Sequence, residues 1–255
     1  MKISEILSLM DGKAPLKLST GACSMLGMYD NSGLILEGRE LETDGVIFAL
    51  DLNKAVVELA KKSGYKLIIT HHPAIYRPVK NVMQGVYTAC IEAGITVYSS
   101  HLSLDTAVNG IDDGLAKLCG AKDFEILEPT VDGRGFGRAF GVEKDTFNNK
   151  VKQITEKIGT TKYLAFGDPD TQINGIATFC GAGLDEAAIY RAGSSEMLVS
   201  ADIPHHVLLA ALEQGKCVLQ LTHYASEAVA MQNFADAICR ENKINYRFYL
   251  DRRFM

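Results

Sequence analysis

Apolar residues in this chain follow two rhythms. Some recur at helical spacing, and others form short runs closed by glycine, proline or a polar turn. Ile3, Ile6, Leu7 and Met10 mark an amphipathic helix over residues 1–12. The turn cluster Asp30-Asn31-Ser32-Gly33 leads into the run Leu34-Ile35-Leu36-Glu37-Gly38. Residues 45–50 read as a strand ending in Asp51. Ala55, Val56, Leu59 and Ala60 give residues 52–63 a helical face, and Gly64 stands where a C-cap belongs. Leu67, Ile68 and Ile69 form a run too short and too β-branched for a helix, which predicts a buried strand. A helix over 82–93 ended by Gly94, a strand over 96–99 and a helix over 111–118 before Gly120 complete a β-α-β-α-β alternation. That alternation predicts a parallel sheet covered by helices.

The rhythm then changes. Glu128-Pro129-Thr130-Val131-Asp132-Gly133 reads as a linker. Beyond it come predicted strands over 135–142, 163–166, 173–180, 196–200 and 218–221, with helices over 147–158, 184–192, 204–214 and 224–240, and a last strand over 246–250. The fold expected is α/β, with two α/β units per chain and the second inserted into the first. The first unit is expected at 1–127 plus 215–255, the second at 128–214, with the tail from about Gly215 returning to the first sheet. No short-period repeat or low-complexity segment interrupts the chain.

Composition narrows the class. With 255 residues, 47% apolar and 22% charged, the chain has ample material for a buried core and does not look disordered. A net charge of -5 with no basic run argues against nucleic-acid binding through phosphate contacts. Asp11, Lys13 and Lys17 interrupt any apolar stretch that a signal peptide would need, and no run approaches the ~20 residues of a membrane span. Cys23, Cys90, Cys119, Cys180, Cys217 and Cys239 are scattered, with no C-x-x-C pair. They read as reduced thiols of a cytoplasmic protein.

The chemistry gathers at three predicted strand ends. His71-His72 follows the run at 67–69, and Pro73 stops the strand. Successive side chains of an extended segment point to opposite sides, so this pair suits giving one nitrogen to each of two neighbouring ions. Two histidines of an active-site loop without metal are the plainer reading. His101 and Asp105 lie four apart just past the strand at 96–99, in a helix or in a loop capping the next one. His223 and Glu227 have the same spacing at a strand-to-helix junction, where a first-turn carboxylate also suits the helix dipole. Together these segments hold four of the six histidines. Nitrogen and oxygen donors without cysteine suit a divalent Zn, Fe, Mn, Co or Ni ion, and carboxylates can bridge two such ions.

Weaker candidates surround these. His205-His206 follows Asp202 and Pro204, ordinary helix-start residues, and reads as structural or supporting. Gly181-Ala182-Gly183 reads as a turn, or as a phosphate cradle ahead of a helix. Asn31, Asp51, Arg77 and Lys80 are candidate pocket residues, and Arg77 is the candidate partner of a substrate phosphate. No P-loop, no G-x-G-x-x-G and no H-E-x-x-H occurs.

Thr70-His71-His72-Pro73-Ala74-Ile75-Tyr76-Arg77-Pro78 closely resembles the T-H-H-P-x-x-F-R-P signature of the Nif-three-like dinuclear metal-centre proteins, also catalogued as GTP cyclohydrolase 1 type 2 homologues. His101-Leu102-Ser103-Leu104-Asp105 resembles their H-x-x-L-D segment. Asp202 to His206 resembles their D-x-x-x-H segment, and His223 to Glu227 their H-Y-x-S-E segment. Asn31 to Gly38 and Gly181-Ala182-Gly183 resemble two further motifs, so the likeness spans almost the whole chain. Tyr76 in place of Phe and Ser103 in place of Thr or Asn are mild departures.

The resemblance implies five metal ligands: His72 and Asp105 on one ion, His71 and His223 on the other, and Glu227 bridging both. It implies His101 beside the site as a supporting residue or proton carrier, a metal site in a cleft at strand ends, and a ring-shaped homohexamer. It suggests a dinuclear metal-dependent hydrolase acting on GTP or another nucleotide. The alternative is a non-catalytic metal-binding, metal-chaperone or regulatory scaffold protein. A ring-shaped nucleic-acid binder is the third reading, and the acidic balance opposes it.

Overall fold

The apolar runs become strands of two separate sheets. The computed structural model describes all 255 residues and divides into two units. One comprises Met1–Val108 and Met231–Leu250, the other Asn109–Ala230 and Asp251–Met255. The first contains helices α1 (Ile3–Lys13) and α2 (Leu16–Leu26), then β1 (Gly33–Leu36), β2 (Val46–Ala49), α3 (Lys54–Ser63), β3 (Leu67–Thr70), α4 (Val86–Glu92), β4 (Thr96–Ser99) and α5 (Leu102–Thr106). The second contains α6 (Ile111–Leu118), β5 (Glu125–Pro129), β6 (Gly135–Thr146), α7 (Phe147–Ile158), β7 (Tyr163–Phe166), β8 (Gln172–Thr178), α8 (Glu186–Arg191), β9 (Met197–Ala201), α9 (His205–Glu213) and β10 (Cys217–Leu221). The boundary at 230/231 falls inside α10 (His223–Asn242), after which β11 (Tyr246–Tyr249) belongs to the first unit.

In the first unit the sheet order is β1-β4-β3-β2-β11, with β1 antiparallel and the other four parallel. Every residue of β2, β3 and β4 is buried, which is why β2 and Leu67–Ile69 of β3 read as unbroken apolar runs and not as alternations. One face carries Ile47, Ala49, Ile68 and Val97 against Val56, Val57 and Ala60 of α3 and Cys90 of α4. Each large aliphatic side chain sealed this way stabilises the fold by about 1.5–3 kcal/mol. Asn53 caps α3 by accepting from Val56 N–H, and Gly64 ends it at φ 72°, a left-handed value that glycine takes without strain.

The second sheet runs β5-β6-β8-β9-β10-β7, with β8, β9 and β10 parallel. One face packs Phe147, Val151, Ile154 and Ile158 of α7 onto Ile173, Ile176, Val199 and Leu219. The other packs Ala188 and Ile189 of α8 and Val207 and Ala211 of α9 onto Ala177, Leu198 and Val218. A buried polar network breaks this apolar pattern. Arg138 of β6 is fully buried, donates from Nε to Asp113 at 2.8 Å and lies 5.4 Å from the Phe124 ring.

Several expectations meet corrections. The stretch read as a linker forms β5 and a tight turn, and Glu128 and Pro129 pair with Phe136 and Gly135. Proline is admitted because β5 is an edge strand. The tail does not return at Gly215: β10 pairs with β9 and β7, and only β11 joins the first sheet. The units therefore divide at 108/109 and 230/231, where the sequence suggested 127/128 and 214/215. The helix expected over 82–93 begins only at Val86, where Gly85 N–H bonds the Thr88 hydroxyl at 2.9 Å. Helix α2 was not expected at all.

Candidate metal centre

Strand register builds the first donor set. Ala49, Thr70 and Ser99 stand level across β2, β3 and β4. The ladder continues beyond them, with His71 N–H bonding Ala49 O at 3.1 Å, His72 N–H bonding Leu50 O at 2.9 Å and Ser100 N–H bonding Thr70 O at 2.8 Å. Residues at equal distances past the strand ends therefore meet. Asp51 and His72 are each two residues beyond, and Asp51 Oδ1 lies 2.8 Å from His72 Nδ1. Ser100 and His71 are each one beyond, and Ser100 O lies 2.9 Å from His71 Nδ1. His101 follows, and the antiparallel pairing of Gly33 with Ser99 brings Asp30 to 2.9 Å from its Nδ1.

The rings of His71, His72 and His101 gather with centroids 5.0 to 5.8 Å apart. One donor atom each from His71, His101 and Asp105 falls within 4.8 Å of the others, a group that could hold a metal ion. His71 is fully buried, and its Nε2 lies 3.3 Å from Asp105 Oδ1. Asp105 comes from the short helix α5, which resolves the helix-or-loop alternative for this segment in favour of a helix.

Helix spacing builds the second set. Ala201 of β9 and Leu221 of β10 are level, so Asp202 and His223 leave the sheet side by side. Asp202 Oδ2 lies 2.6 Å from His223 Nδ1. One turn along α10, Glu227 Oε1 lies 3.1 Å from His223 Nε2. Gly181 underlies this pair. Its φ is 51°, and a Cβ there would stand 2.6 Å from Glu227 Oε1 and 3.1 Å from His223 Nε2. Its amide donates to Ser226 Oγ at 3.0 Å, and its carbonyl accepts from Ala201 N–H at 2.9 Å. Asp112 holds the preceding residue by accepting from Cys180 N–H at 3.1 Å. The glycine turn is thus a cradle for the His223 and Glu227 side chains, kept clear because no side chain fills it.

All four imidazoles show the same arrangement. Each turns Nδ1 toward an acceptor, Ser100 O or the carboxylate of Asp30, Asp51 or Asp202. A carbonyl or ionised carboxylate only accepts, so Nδ1 carries the proton and Nε2 presents a lone pair. For His71 and His223 that lone pair faces another carboxylate oxygen. Two acceptors facing each other at such distances require a proton or a metal cation between them. Nitrogen and oxygen donors oriented by outer carboxylates fit a borderline divalent ion well. Asp30 is itself fully engaged: burial raises its carboxyl pKa, but hydrogen bonds from His101, Ser19 and Ser32 outweigh this and hold it well below the ordinary aspartate value.

The three orienting aspartates were the residues least visible in the sequence. Asp30 lay in a turn cluster, Asp51 among pocket candidates and Asp202 as an expected N-cap. Asp202 caps nothing: the N-cap of α9 is Pro204, which makes no side-chain cap bond. His205 and His206 are exposed on the first turn of α9 and touch neither donor set. Arg77 and Lys80 are exposed. Asn31 is turned to the backbone, its Nδ2 donating to Ile75 O at 2.6 Å, and so holds the loop after His72.

An α/β fold with histidine and carboxylate groups placed at strand ends defines a protein with a possible metal site. The chain belongs to the Duf34/NIF3 (NGG1p interacting factor 3) family, whose model matches residues 1–251. It is 30% identical over 242 residues to a "GTP cyclohydrolase 1 type 2 homolog" of Methanocaldococcus jannaschii, covering 92% of this chain and 94% of that one. A protein of the same name from Clostridium perfringens is 26% identical over 235 residues, 89% of this chain and 87% of its own. A hypothetical protein of Staphylococcus aureus has a crystal structure with the same fold. Its TM-score is 0.85 at 23% identity, covering 99% of this chain and 97% of that one. No helix is long and apolar enough to cross a membrane.

Proposed function

We propose that the two donor sets serve one dinuclear divalent-metal centre of a hydrolase acting on GTP or a related nucleotide. His72 and Asp105 would hold one ion and His71 and His223 the other, with Glu227 bridging. The observation that carries the reading is the shared orientation of the four imidazoles, each with Nδ1 anchored and Nε2 presented. The printed name of the similar proteins supports a purine nucleotide as substrate, with the C8 carbon of the imidazole ring as the attacked centre. A bound divalent pair supplies a nucleophilic water near neutral pH and Lewis acidity toward the substrate.

The chain's own residues do the rest. His101 Nε2 takes and returns the proton, because Asp30 fixes Nδ1 as the protonated nitrogen. Asp51 holds His72 and Asp202 holds His223 in the ligating orientation. Arg77 meets substrate phosphate from the exposed loop after His72. His72, His101 and His223 keep 25%, 22% and 35% of their side chains exposed, which leaves a face for substrate. The protein acts in the cytoplasm as a ring-shaped homohexamer.

The test measures metal content, then turnover of a nucleotide panel by metal-loaded wild type and Glu227→Ala. Metal-dependent hydrolysis lost in the variant supports the reading. Bound metal with no turnover of any nucleotide points instead to a metal-binding or metal-delivery role, and no bound metal overturns both.

A further inference from the structure

We infer that Asp202 is a positioning residue whose carboxylate holds His223 in the ligating tautomer, at a left-handed turn where the fold needs the backbone conformation but not this side chain. The inference rests on the metal reading above, but its test can fail separately.

Asp202 has φ 47°, left-handed, one of only four non-glycine residues with positive φ. Residues with a side chain are uncommon in this region, aspartate and asparagine less so than the others, and glycine enters it without strain. An aspartate held there invites an explanation in local structure, and the usual one is capping of the helix that follows. That explanation does not apply, because α9 begins three residues later, at His205, with Pro204 as its N-cap and no side-chain cap bond. Core packing does not explain it either, since the Asp202 side chain is 57% exposed. The one partner found for the carboxylate is His223 Nδ1 at 2.6 Å.

The position follows from the sheet. Ala201 is the last residue of β9 and is tied to Gly181 O through its N–H. A left-handed step at the next residue lets the chain turn away toward α9 while the side chain stays beside the start of α10. His223 is the most exposed of the imidazoles in the two donor sets. It is the one that burial restrains least, so an outer carboxylate has the most to fix there. With Nδ1–H given to Asp202, Nε2 is committed to the side that faces Glu227. Without it the ring can carry its proton on Nε2 and lose its value as a donor.

A substitution series at one position separates this role from a structural one. Asparagine tolerates the left-handed region and keeps an oxygen that can accept from Nδ1–H, whereas glycine fits the backbone best and offers no acceptor. Binding of Zn²⁺ to the full-length protein is measured by competition with a chelator. Affinity is expected to fall a few-fold in Asp202→Asn and about 10–100-fold in Asp202→Gly. The metal-free melting temperature of Asp202→Gly is expected to equal or exceed that of wild type. Imidazole nitrogen NMR of the metal-free proteins is expected to show His223 protonated on Nδ1 in wild type and Asp202→Asn, and shifted toward Nε2 protonation in Asp202→Gly. Equal Zn²⁺ affinity and an unchanged tautomer in Asp202→Gly would overturn the inference. So would a marked fall in its metal-free melting temperature, which would make Asp202 a fold residue. If wild type binds no Zn²⁺, the metal reading fails, and the tautomer comparison alone still decides the role of Asp202.

Discussion

The two donor sets orient imidazoles alike by different means. In the first unit, the level ends of β2, β3 and β4 place His71, His72 and His101 with backbone ladder bonds, and His71 is sealed from solvent. In the second, one helical turn relates His223 to Glu227, and a left-handed aspartate outside the sheet holds the ring. Donors placed by a buried ladder are part of the fold and cannot be removed without loosening it. His223, placed by a helix end and held by an exposed aspartate, can be altered with the fold left standing. The first set should therefore couple metal binding to stability, and the second should separate them.

The largest expected effect is on metal binding in Glu227→Ala. If Glu227 bridges the centre as proposed, its removal should weaken affinity by about 100-fold or more, above the 10–100-fold usual for an outer orienting group. Chelator competition and metal analysis after dialysis measure this, and wild-type metal retention would remove Glu227 from the centre. The next prediction contrasts the two sets directly. His71→Ala opens a cavity in a buried polar site and should lower the unfolding free energy by about 2–4 kcal/mol in the presence of chelator. His223→Ala removes a partly exposed ring and should change it by less than about 1 kcal/mol. Urea unfolding of both variants checks the difference, and equal losses would break the comparison.

Asp30→Ala sharpens the same contrast from outside the ligand set. It leaves the Ser19 and Ser32 hydroxyls and the His101 Nδ1–H without their buried acceptor. A loss of about 1–3 kcal/mol in urea unfolding is expected. A smaller loss than that of Asp30→Ala is expected for Gly181→Ala, about 1 kcal/mol for a side chain in the left-handed region. Because the added methyl presses on Glu227, a metal-affinity loss near 10-fold should accompany it. Affinity unchanged in that variant would show that the cradle gives way without disturbing the ligands.

Much of the architecture could be read from residue order, and its failures have physical causes. The central parallel strands of the first unit announce themselves because burial on both faces leaves apolar runs such as Leu67 to Ile69. Strand β5 hides because it is an edge strand, half-exposed, with Glu125, Glu128 and Pro129 in five residues. Helix α2 hides because Ser19, Thr20, Gly21 and Ser24 have weak helix propensity, so its packing and not its sequence makes it a helix. The shift of β10 to the second sheet follows from pairing with β9, a tertiary fact that periodicity does not carry. At the site, histidines at strand ends were conspicuous. The aspartates on Nδ1 were not, because each meets its histidine only through register between strands distant in the chain.

That register has a consequence for how this chain can change over generations. Gaining or losing a residue in the exposed stretch from Val79 to Gly85 alters a loop, and closing a slightly longer loop costs only tenths of a kcal/mol. Gaining or losing one inside Leu67–Thr70 leaves the apolar character intact but carries every later side chain through half a pleat. After a loss His72 would inherit the sealed place of His71, after a gain His71 would take the place of His72, and either way Asp51 faces the wrong neighbour. Insertions and deletions should therefore be silent in the one segment and disabling in the other, although fewer than ten residues separate them.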